Sequence, residues 1–91
     1  MSNTYVIHIE LTKAFDQELI DLVPAERQRV VELAAQGLVK AGYLRSDNRG
    51  AYLIMQADSE AEIRAALDSL PMHRLMTFDV VPCQPMGLGE R

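Results

Sequence analysis

The sequence has few of the residues that small proteins use to reinforce a thin core. Cys83 is its single cysteine, so no disulfide forms within the chain and a structural zinc site is not expected. A chain this short buries only about 60% of the surface that its unfolded form exposes. We therefore expect one domain over residues 1–91 that gains stability by binding copies of itself, and a reducing compartment.

Aromatic side chains, basic runs and long apolar runs are also scarce. Tryptophan is absent, aromatic residues make up 5% of the chain, and the formal net charge is -4. The chain therefore has few side chains that could stack on nucleic-acid bases or neutralise their phosphates. No apolar stretch approaches the roughly 20 residues of a membrane span, and residues 1–4 lack the features of a secretion signal. The composition predicts a cytoplasmic protein without nucleic-acid or membrane partners.

Four segments have the residue pattern of β-strands. Residues 5–11 alternate between apolar and mixed positions, which is the period of a strand with one buried face. Residues 43–45 and 51–57 flank the polar, glycine-ending stretch 46–50, and this arrangement predicts a hairpin. Residues 75–81 alternate again. The pattern predicts four strands, two of them adjacent along the chain.

The first helix is predicted over residues 25–41, where apolar residues recur at helical spacing. Gly42 is expected to end it, because glycine adopts the left-handed conformation at low cost. Asp16 is predicted to cap a short earlier helix, and Pro24 to separate the two. Glu26 then lies at a helix start, where the helix dipole favours a carboxylate, with a catalytic role as the less favoured interpretation.

The second helix is predicted to begin at Ser59 and to end before Pro71. Ser59 and Glu62 have the spacing of a capping box. The resulting β-α-β-β-α-β order predicts an α+β, ferredoxin-like fold with an antiparallel sheet and both helices on one face, followed by a loose tail over residues 86–91. A second copy is expected to cover the other face, which gives a dimeric α+β barrel with room for a ligand between the sheets.

Several segments resemble the muconolactone delta-isomerase family. Residues 59–63, 67–71 and 76–80, followed by Pro82, are similar to the family's capped helix, its Leu-Pro end and its last strand. Residues 25–27, Ala-Glu-Arg, resemble a segment of the family's first helix. The resemblance covers most of the chain and implies a common fold.

The sequence departs from the family pattern where a pocket is expected. Tyr43-Leu44-Arg45 stands in place of a Leu-Trp-Arg segment, and His8 replaces a basic residue. Residues 72–75 replace an aromatic- and proline-rich segment. These differences bear on the identity of the substrate.

The resemblance implies a reaction that moves a double bond within a small unsaturated lactone by proton transfer, without a metal or organic cofactor. Such a reaction needs a base, a route for proton return and donors that stabilise enolate charge. The leading hypothesis is an isomerase of this kind acting in aromatic catabolism. The alternatives are a cofactor-free oxygenase or cyclase on the same fold, and a non-catalytic oligomeric module that binds a small molecule.

His8 and Glu10 are the predicted catalytic residues. They lie two positions apart on one strand, so their side chains share a face. Histidine exchanges a proton near neutral pH, and Glu10 either acts as the base or orients His8. The alternative interpretation is a pair of solvated side chains on an exposed strand.

Four further residues are predicted to bind the substrate. Arg45 matches the family arginine and is suited to a bidentate contact with a carboxylate. Tyr52 and Thr77 carry hydroxyl donors, and Thr77 shares a strand face with Asp79. His73 lies in a loop and is predicted to mark the rim of the pocket. Solvated or packing roles are the alternative for each.

Overall fold

A computed structural model of the chain describes residues 2–88. Its elements follow the predicted β-α-β-β-α-β order, and we number them along the chain: β1 Asn3–Leu11, α1 Gln17–Ala35, β2 Val39–Leu44, β3 Gly50–Ala57, α2 Glu60–Asp68 and β4 Met76–Cys83, with a 3-10 turn at His73–Leu75 before β4. The predicted tail over residues 86–91 lies partly outside the described residues.

The four strands form one antiparallel sheet in the order β2-β3-β1-β4. Ile7, in the middle of β1, lies opposite Leu53 of β3 and Val80 of β4. This order places the first strand beside the last and the second at an outer edge. The ferredoxin-like fold predicted from the sequence is confirmed.

The core lies between one face of the sheet and both helices. Tyr5, Ile7 and Ile9 alternate along β1 and are buried on this face. Their neighbours on the adjoining strands are buried with them, and each helix contributes apolar side chains to the same cluster, namely Leu33 of α1 and Ile63, Ala66 and Leu67 of α2. Full burial of such a side chain contributes roughly 1.5–3 kcal/mol, so this layer fixes the position of the sheet.

The opposite face carries no helix, and we call it the open face. Strand alternation and the pairing register assign its members: Thr4, Val6, His8 and Glu10 of β1, Ala41 and Tyr43 of β2, Tyr52, Ile54 and Gln56 of β3, and Thr77, Asp79, Val81 and Cys83 of β4. Apolar and polar side chains are mixed on it. Tyr52 and Val81 are 41% and 43% exposed.

The helix α1 is continuous, so the predicted break at Pro24 is wrong. Asp16 caps the helix as predicted, because its carboxylate accepts a hydrogen bond from the Leu19 N–H at 3.2 Å. Pro24 lies inside the helix and cannot donate to the carbonyl four residues earlier. Leu19 and Leu33, on either side of Pro24, are both fully buried, and this burial offsets the missing hydrogen bond.

The end of α1 also differs from the prediction, because the helix ends at Ala35 and not at Ala41. Gly37 has a φ of +82° and donates its N–H to the Ala34 carbonyl, while Leu38 donates to the Leu33 carbonyl. These two bonds form a Schellman motif, in which glycine closes the helix. The residues that follow belong to β2, so Gly42 lies within a strand.

The N-terminal cap of α2 agrees with the predicted capping box except for one hydrogen-bond donor. The Ser59 hydroxyl accepts from the Glu62 N–H at 3.3 Å, as a capping box requires. The Glu62 carboxylate accepts from the Asp58 N–H at 3.4 Å, one residue before the predicted donor. In residues 2–88 no helix is both long enough and apolar enough to cross a membrane.

Candidate functional site

His8, Tyr52 and Arg45 meet on the open face. His8 and Tyr52 are paired across β1 and β3, and their rings stack with centroids 4.8 Å apart and planes 10° from parallel. Arg45 follows the end of β2, and its Nη1 lies 3.4 Å from His8 Nε2. The structure therefore brings together three predicted site residues from separate segments of the chain.

The direction of the contact between Arg45 and His8 depends on the tautomer of the imidazole ring. A guanidinium only donates hydrogen bonds, so this contact is a hydrogen bond only in the tautomer whose Nε2 is the acceptor and whose proton is on Nδ1.

Asp47 holds Arg45 from the other side. Its Oδ2 accepts from Arg45 Nη2 at 2.5 Å, and its Oδ1 accepts from the Arg49 N–H at 3.0 Å. The Arg49 N–H, and after it the Arg45 guanidinium, hold the pKa of the Asp47 carboxyl below its ordinary value. The hairpin turn thereby positions the guanidinium between a carboxylate and the His8 ring.

The remaining predicted residues of β1 and β4 border this cluster. Glu10 is exposed and lies two positions from His8 on the same face. Thr77 is the cross-strand partner of Glu10, and its hydroxyl donates to the Glu10 carbonyl at 3.4 Å. Asp79 is the partner of His8. The open face thus combines a basic nitrogen, carboxylates, hydroxyls and a guanidinium.

His73 is placed apart from this group. It lies in the 3-10 turn before β4, where its Nδ1 is 2.9 Å from the Leu70 carbonyl oxygen. A positive charge on the His73 ring lowers the pKa of the Glu26 carboxyl. The preceding residue, Met72, donates its backbone N–H to the same carboxylate. The structure therefore associates His73 with the helix side of the sheet.

A cavity of about 410 Å³ lies on that side, between α1 and the sheet, and we call it the inner cavity. Most of its walls are apolar, with Ile9 and Leu53 from the sheet, Val23 and Val30 from α1, and Leu70 and Met72 from the segment after α2. The polar residues that line it are Glu26, Arg27, Tyr43, Arg45 and Asn48. Arg45 borders the cavity as well as contacting His8, so it belongs to both regions.

Glu26 is a half-buried carboxylate held by the backbone. Its Oε1 accepts from the Met72 N–H at 2.9 Å. Burial raises the pKa of this carboxyl above its ordinary value, and the Met72 N–H and the His73 charge only partly oppose that rise. The interpretation of Glu26 as a helix-start carboxylate is wrong, because α1 begins at Gln17 and places Glu26 in its interior.

A signal for this position exists in the sequence. Val23, Glu26, Val30 and Leu33 follow one another at spacings of three, four and three residues, which puts them on one helical face. The helix break predicted at Pro24 falls within this pattern, so the four residues were not assigned to one helical face. A carboxylate within an apolar stripe is the feature that marks the inner cavity.

Together these features define a small α+β protein with one antiparallel sheet, polar chemistry on the open face and an apolar cavity beneath α1. Within the described part of the chain, no three His, Cys, Asp or Glu side chains are grouped as ligands for a metal ion.

The chain belongs to the muconolactone delta-isomerase family, which it matches over residues 4–86. This match confirms the resemblance seen in the sequence. Among solved structures, the chain is similar to a 5-chloro-2-hydroxyhydroquinone dehydrochlorinase from Burkholderia phenoliruptrix in complex with 2,5-dihydroxybenzoquinone. The TM-score is 0.75 at 20% identity, over 89% of this chain and 93% of that one, which establishes a shared fold. No curated protein matches the sequence.

Proposed function

We propose that the chain is an intramolecular isomerase that shifts a double bond by proton transfer in a small unsaturated lactone or a related product of aromatic degradation. Membership of the muconolactone delta-isomerase family supports this reaction type. The similar solved structure, a dehydrochlorinase of a hydroxyhydroquinone, supports a small ring compound as the substrate class. The observation that carries the proposal is the convergence of His8, Arg45 and Tyr52 on the open face.

In the proposed reaction His8 is the base that removes a proton from the carbon next to the activated carbonyl. The electron pair of that C–H bond moves into the conjugated system, and the same proton returns to its far end, so atoms and charge balance. The Arg45 contact to Nε2 is long, at 3.4 Å. A substrate carboxylate competes for the guanidinium and frees Nε2 to accept the proton. Glu10, on the same face, is the second group able to carry it.

Stabilisation of the intermediate is assigned to the donors around His8. Arg45 binds the carboxylate or the enolate oxygen, and the Tyr52 hydroxyl is a further donor from a residue of the same face. The Thr77 hydroxyl, which donates to the Glu10 carbonyl in the free protein, would have to turn from it to donate to the substrate. Fixed donors near developing negative charge lower the barrier without reorganising at the moment of reaction. A rim position for His73 remains a prediction, because its contacts lie on the helix side.

Self-association is part of the proposal. The open face carries the apolar residues Val6, Ile54 and Val81 among its polar groups, and no helix of residues 2–88 covers it. A sheet face of this kind is typical of an interaction surface. We expect a second copy to pack on it as a dimeric α+β barrel, with the substrate enclosed in the gap beside His8.

The test is turnover of muconolactone by the purified protein, followed by ultraviolet absorbance and by NMR of the product. His8→Gln is expected to lower kcat by at least about 10²-fold, the usual contribution of a positioned base. Arg45→Lys keeps the charge but not the paired donors, so it is expected to raise KM about tenfold. Arg64→Ala, which removes an exposed arginine of α2 paired with Glu60, is the matched control and keeps wild-type rates.

Each alternative function gives a different result in the same samples. Full activity of His8→Gln would remove His8 from the mechanism. Oxygen consumption coupled to substrate loss would identify an oxygenase. Saturable binding of muconolactone and its analogues without any turnover would identify a non-catalytic binding module, and the isomerase proposal would be wrong.

A further inference from the structure

The turn between β2 and β3 is held against β1 by backbone hydrogen bonds. The Arg45 N–H donates to the Gly50 carbonyl at 3.0 Å, and the Arg45 carbonyl accepts from the Asn48 N–H at 3.1 Å. The Arg49 carbonyl accepts from the Leu11 N–H of β1 at 2.9 Å. These bonds fix the backbone from which two arginine side chains start, next to the strand that carries the candidate base.

Asp47 is shared between these two arginines. Its Oδ2 accepts from Arg45 Nη2 at 2.5 Å, and its Oδ1 accepts from the backbone N–H of Arg49 at 3.0 Å. The Arg49 N–H, followed by the Arg45 guanidinium and the Arg49 charge, holds the pKa of the Asp47 carboxyl below its ordinary value. The Arg49 guanidinium makes no hydrogen bond or ion pair within residues 2–88. Asp47 is therefore ionised at neutral pH and offsets one of the two positive charges.

The charged residues of the turn sum to one positive charge. Arg45 and Arg49 contribute +2 and Asp47 contributes -1, which leaves +1 at neutral pH. Among residues 2–88, the charged side chains of the open face are Glu10 and Asp79, and both are negative. One carboxylate of a ligand is therefore attracted to the turn, whereas a second carboxylate has no unpaired positive charge to bind and is repelled by its neighbours.

The loop before α1 does not change this balance in favour of a second carboxylate. Lys13 lines a groove together with Asp47 and Arg49, so its charge is near the turn. It is already paired with both Asp16 and Glu18. These three residues of the loop sum to one negative charge, so the loop adds no free cation.

This charge pattern distinguishes a carboxylated lactone from its ring-opened form. Such a lactone carries one negative charge, because its second acid group is present as the ring ester. Hydrolysis of the ring converts that ester into a second carboxylate. The positive charge of the turn therefore matches the closed ring and not the hydrolysed compound.

We propose that Asp47 makes the open-face site selective for ligands with a single carboxylate, because it cancels one of the two arginine charges of the turn. The inference rests on the proposed function, in which Arg45 binds the carboxylate of the substrate. It adds the charge of the substrate class: the site binds a monocarboxylate and excludes the dicarboxylate that forms when a lactone ring opens.

Benzoate and phthalate are the probes, because they present one and two carboxylates on the same ring. Binding is measured at neutral pH by NMR titration of the full chain, and the His8 ring, the Tyr52 ring and the Arg45 Nε–H group report on the site. The wild-type protein is expected to bind benzoate at least about fivefold more tightly than phthalate, the effect of one unit charge near an exposed site. Because salt screens exposed charges, this ratio is expected to fall toward one at high ionic strength.

Two variants change the charge of the turn in opposite directions. Asp47→Asn keeps an oxygen acceptor for the Arg49 N–H but raises the sum from +1 to +2, and it is expected to lower the affinity ratio at least about fivefold. Arg49→Gln lowers the sum to zero and is expected to raise the ratio, because a dianion responds to a change of site charge about twice as strongly as a monoanion.

Asp21→Asn is the matched control for Asp47→Asn. It removes an exposed carboxylate of α1 that accepts a hydrogen bond from Gln17, so it changes the net charge of the chain by the same amount. It is expected to keep the wild-type ratio. The Arg49 side chain makes no hydrogen bond within residues 2–88, so Arg49→Gln decides the outcome if Asp47→Asn does not fold.

Failure of this inference differs from failure of the isomerase proposal, because the probes bind without turnover. A protein that does not convert muconolactone but shows the expected ratios would end the isomerase proposal and support the charge selectivity. Equal ratios in wild type, Asp47→Asn and Arg49→Gln would overturn the inference even if muconolactone is turned over normally. The absence of a saturable shift of the three reporter signals with either probe would overturn it as well.

Discussion

The His8 imidazole and the Tyr52 ring stack directly across β1 and β3, with their centroids 4.8 Å apart. Cross-strand pairs of this type stabilise a sheet by about 0.2–1 kcal/mol. Tyr52→Leu, which removes the aromatic ring, is therefore expected to lower the free energy of unfolding by about that amount in urea titrations. Tyr52→Phe keeps the stack and serves as the control. Equal stability of the leucine and phenylalanine variants would contradict a role for the stacked pair.

The Glu26 carboxyl is expected to make stability depend on pH. Its folded-state pKa is raised by burial above the ordinary value of 4.5, so the folded protein binds this proton more tightly than the unfolded chain. The charged form therefore costs stability above the folded-state pKa, and that cost disappears as the pH falls below 4.5. Glu26→Gln is expected to be more stable than wild type at pH 7, with the difference shrinking in acid.

Urea unfolding of both proteins at a series of pH values measures this trend. Glu26→Ala is the contrasting variant, because it removes the acceptor of the buried Met72 N–H and is expected to lose about 1–3 kcal/mol across the same range. A constant difference between Glu26→Gln and wild type at all pH values would contradict the raised pKa.

Gly37 ends α1 in the left-handed conformation, with a φ of +82°. A side chain in this conformation costs roughly 1–2 kcal/mol, so Gly37→Ala is expected to lower the free energy of unfolding by that amount. Asparagine tolerates the same backbone angles better, and Gly37→Asn is expected to lose less. Chemical denaturation of the two variants tests the Schellman motif, and an alanine variant as stable as wild type would show that the helix ends differently.

Self-association through the open face predicts a specific sensitivity to charge. Val81 is on this face and 43% exposed, whereas Ile20, on α1, is 48% exposed. Val81→Lys would bury an unpaired charge between two copies, so its dimer is expected to dissociate at a concentration at least tenfold higher than wild type. Ile20→Lys is the control and retains wild-type association. Sedimentation velocity over a range of concentrations measures both.

A wild-type chain that stays monomeric at every concentration would contradict the proposed barrel. Dissociation caused by Ile20→Lys and not by Val81→Lys would locate the contact on α1 instead. In either case His8 would not lie in an enclosed gap between two sheets.

The strands were predictable because their alternation is simple. Tyr5, Ile7 and Ile9 are buried on one face and His8 faces the other, as a period of two requires. The same rule places Tyr52 and Thr77 on the side of His8, so the open-face group follows from the sequence once the pairing order is known. The contact from Arg45 to His8 cannot be predicted in this way, because it depends on the conformation of the turn over residues 46–50.

The errors concern α1, where local and tertiary effects compete. Pro24 favours a helix break, yet the burial of residues on both sides keeps the helix continuous. Gly37 and Gly42 are both plausible helix ends, and local sequence alone does not choose between them. The hydrogen bonds from Gly37 and Leu38 select the earlier one. Because the helix was predicted to start near Glu26, the inner cavity could not be foreseen.

The two outermost strands are poor templates for further pairing. Pro82 lies within β4 and has no N–H to donate, and β2 has an irregular register between Val39 and Ala41. Interrupted edges of this kind oppose the side-by-side addition of sheets that leads to fibrils. We therefore expect concentrated solutions to form closed assemblies of limited size instead of growing polymers.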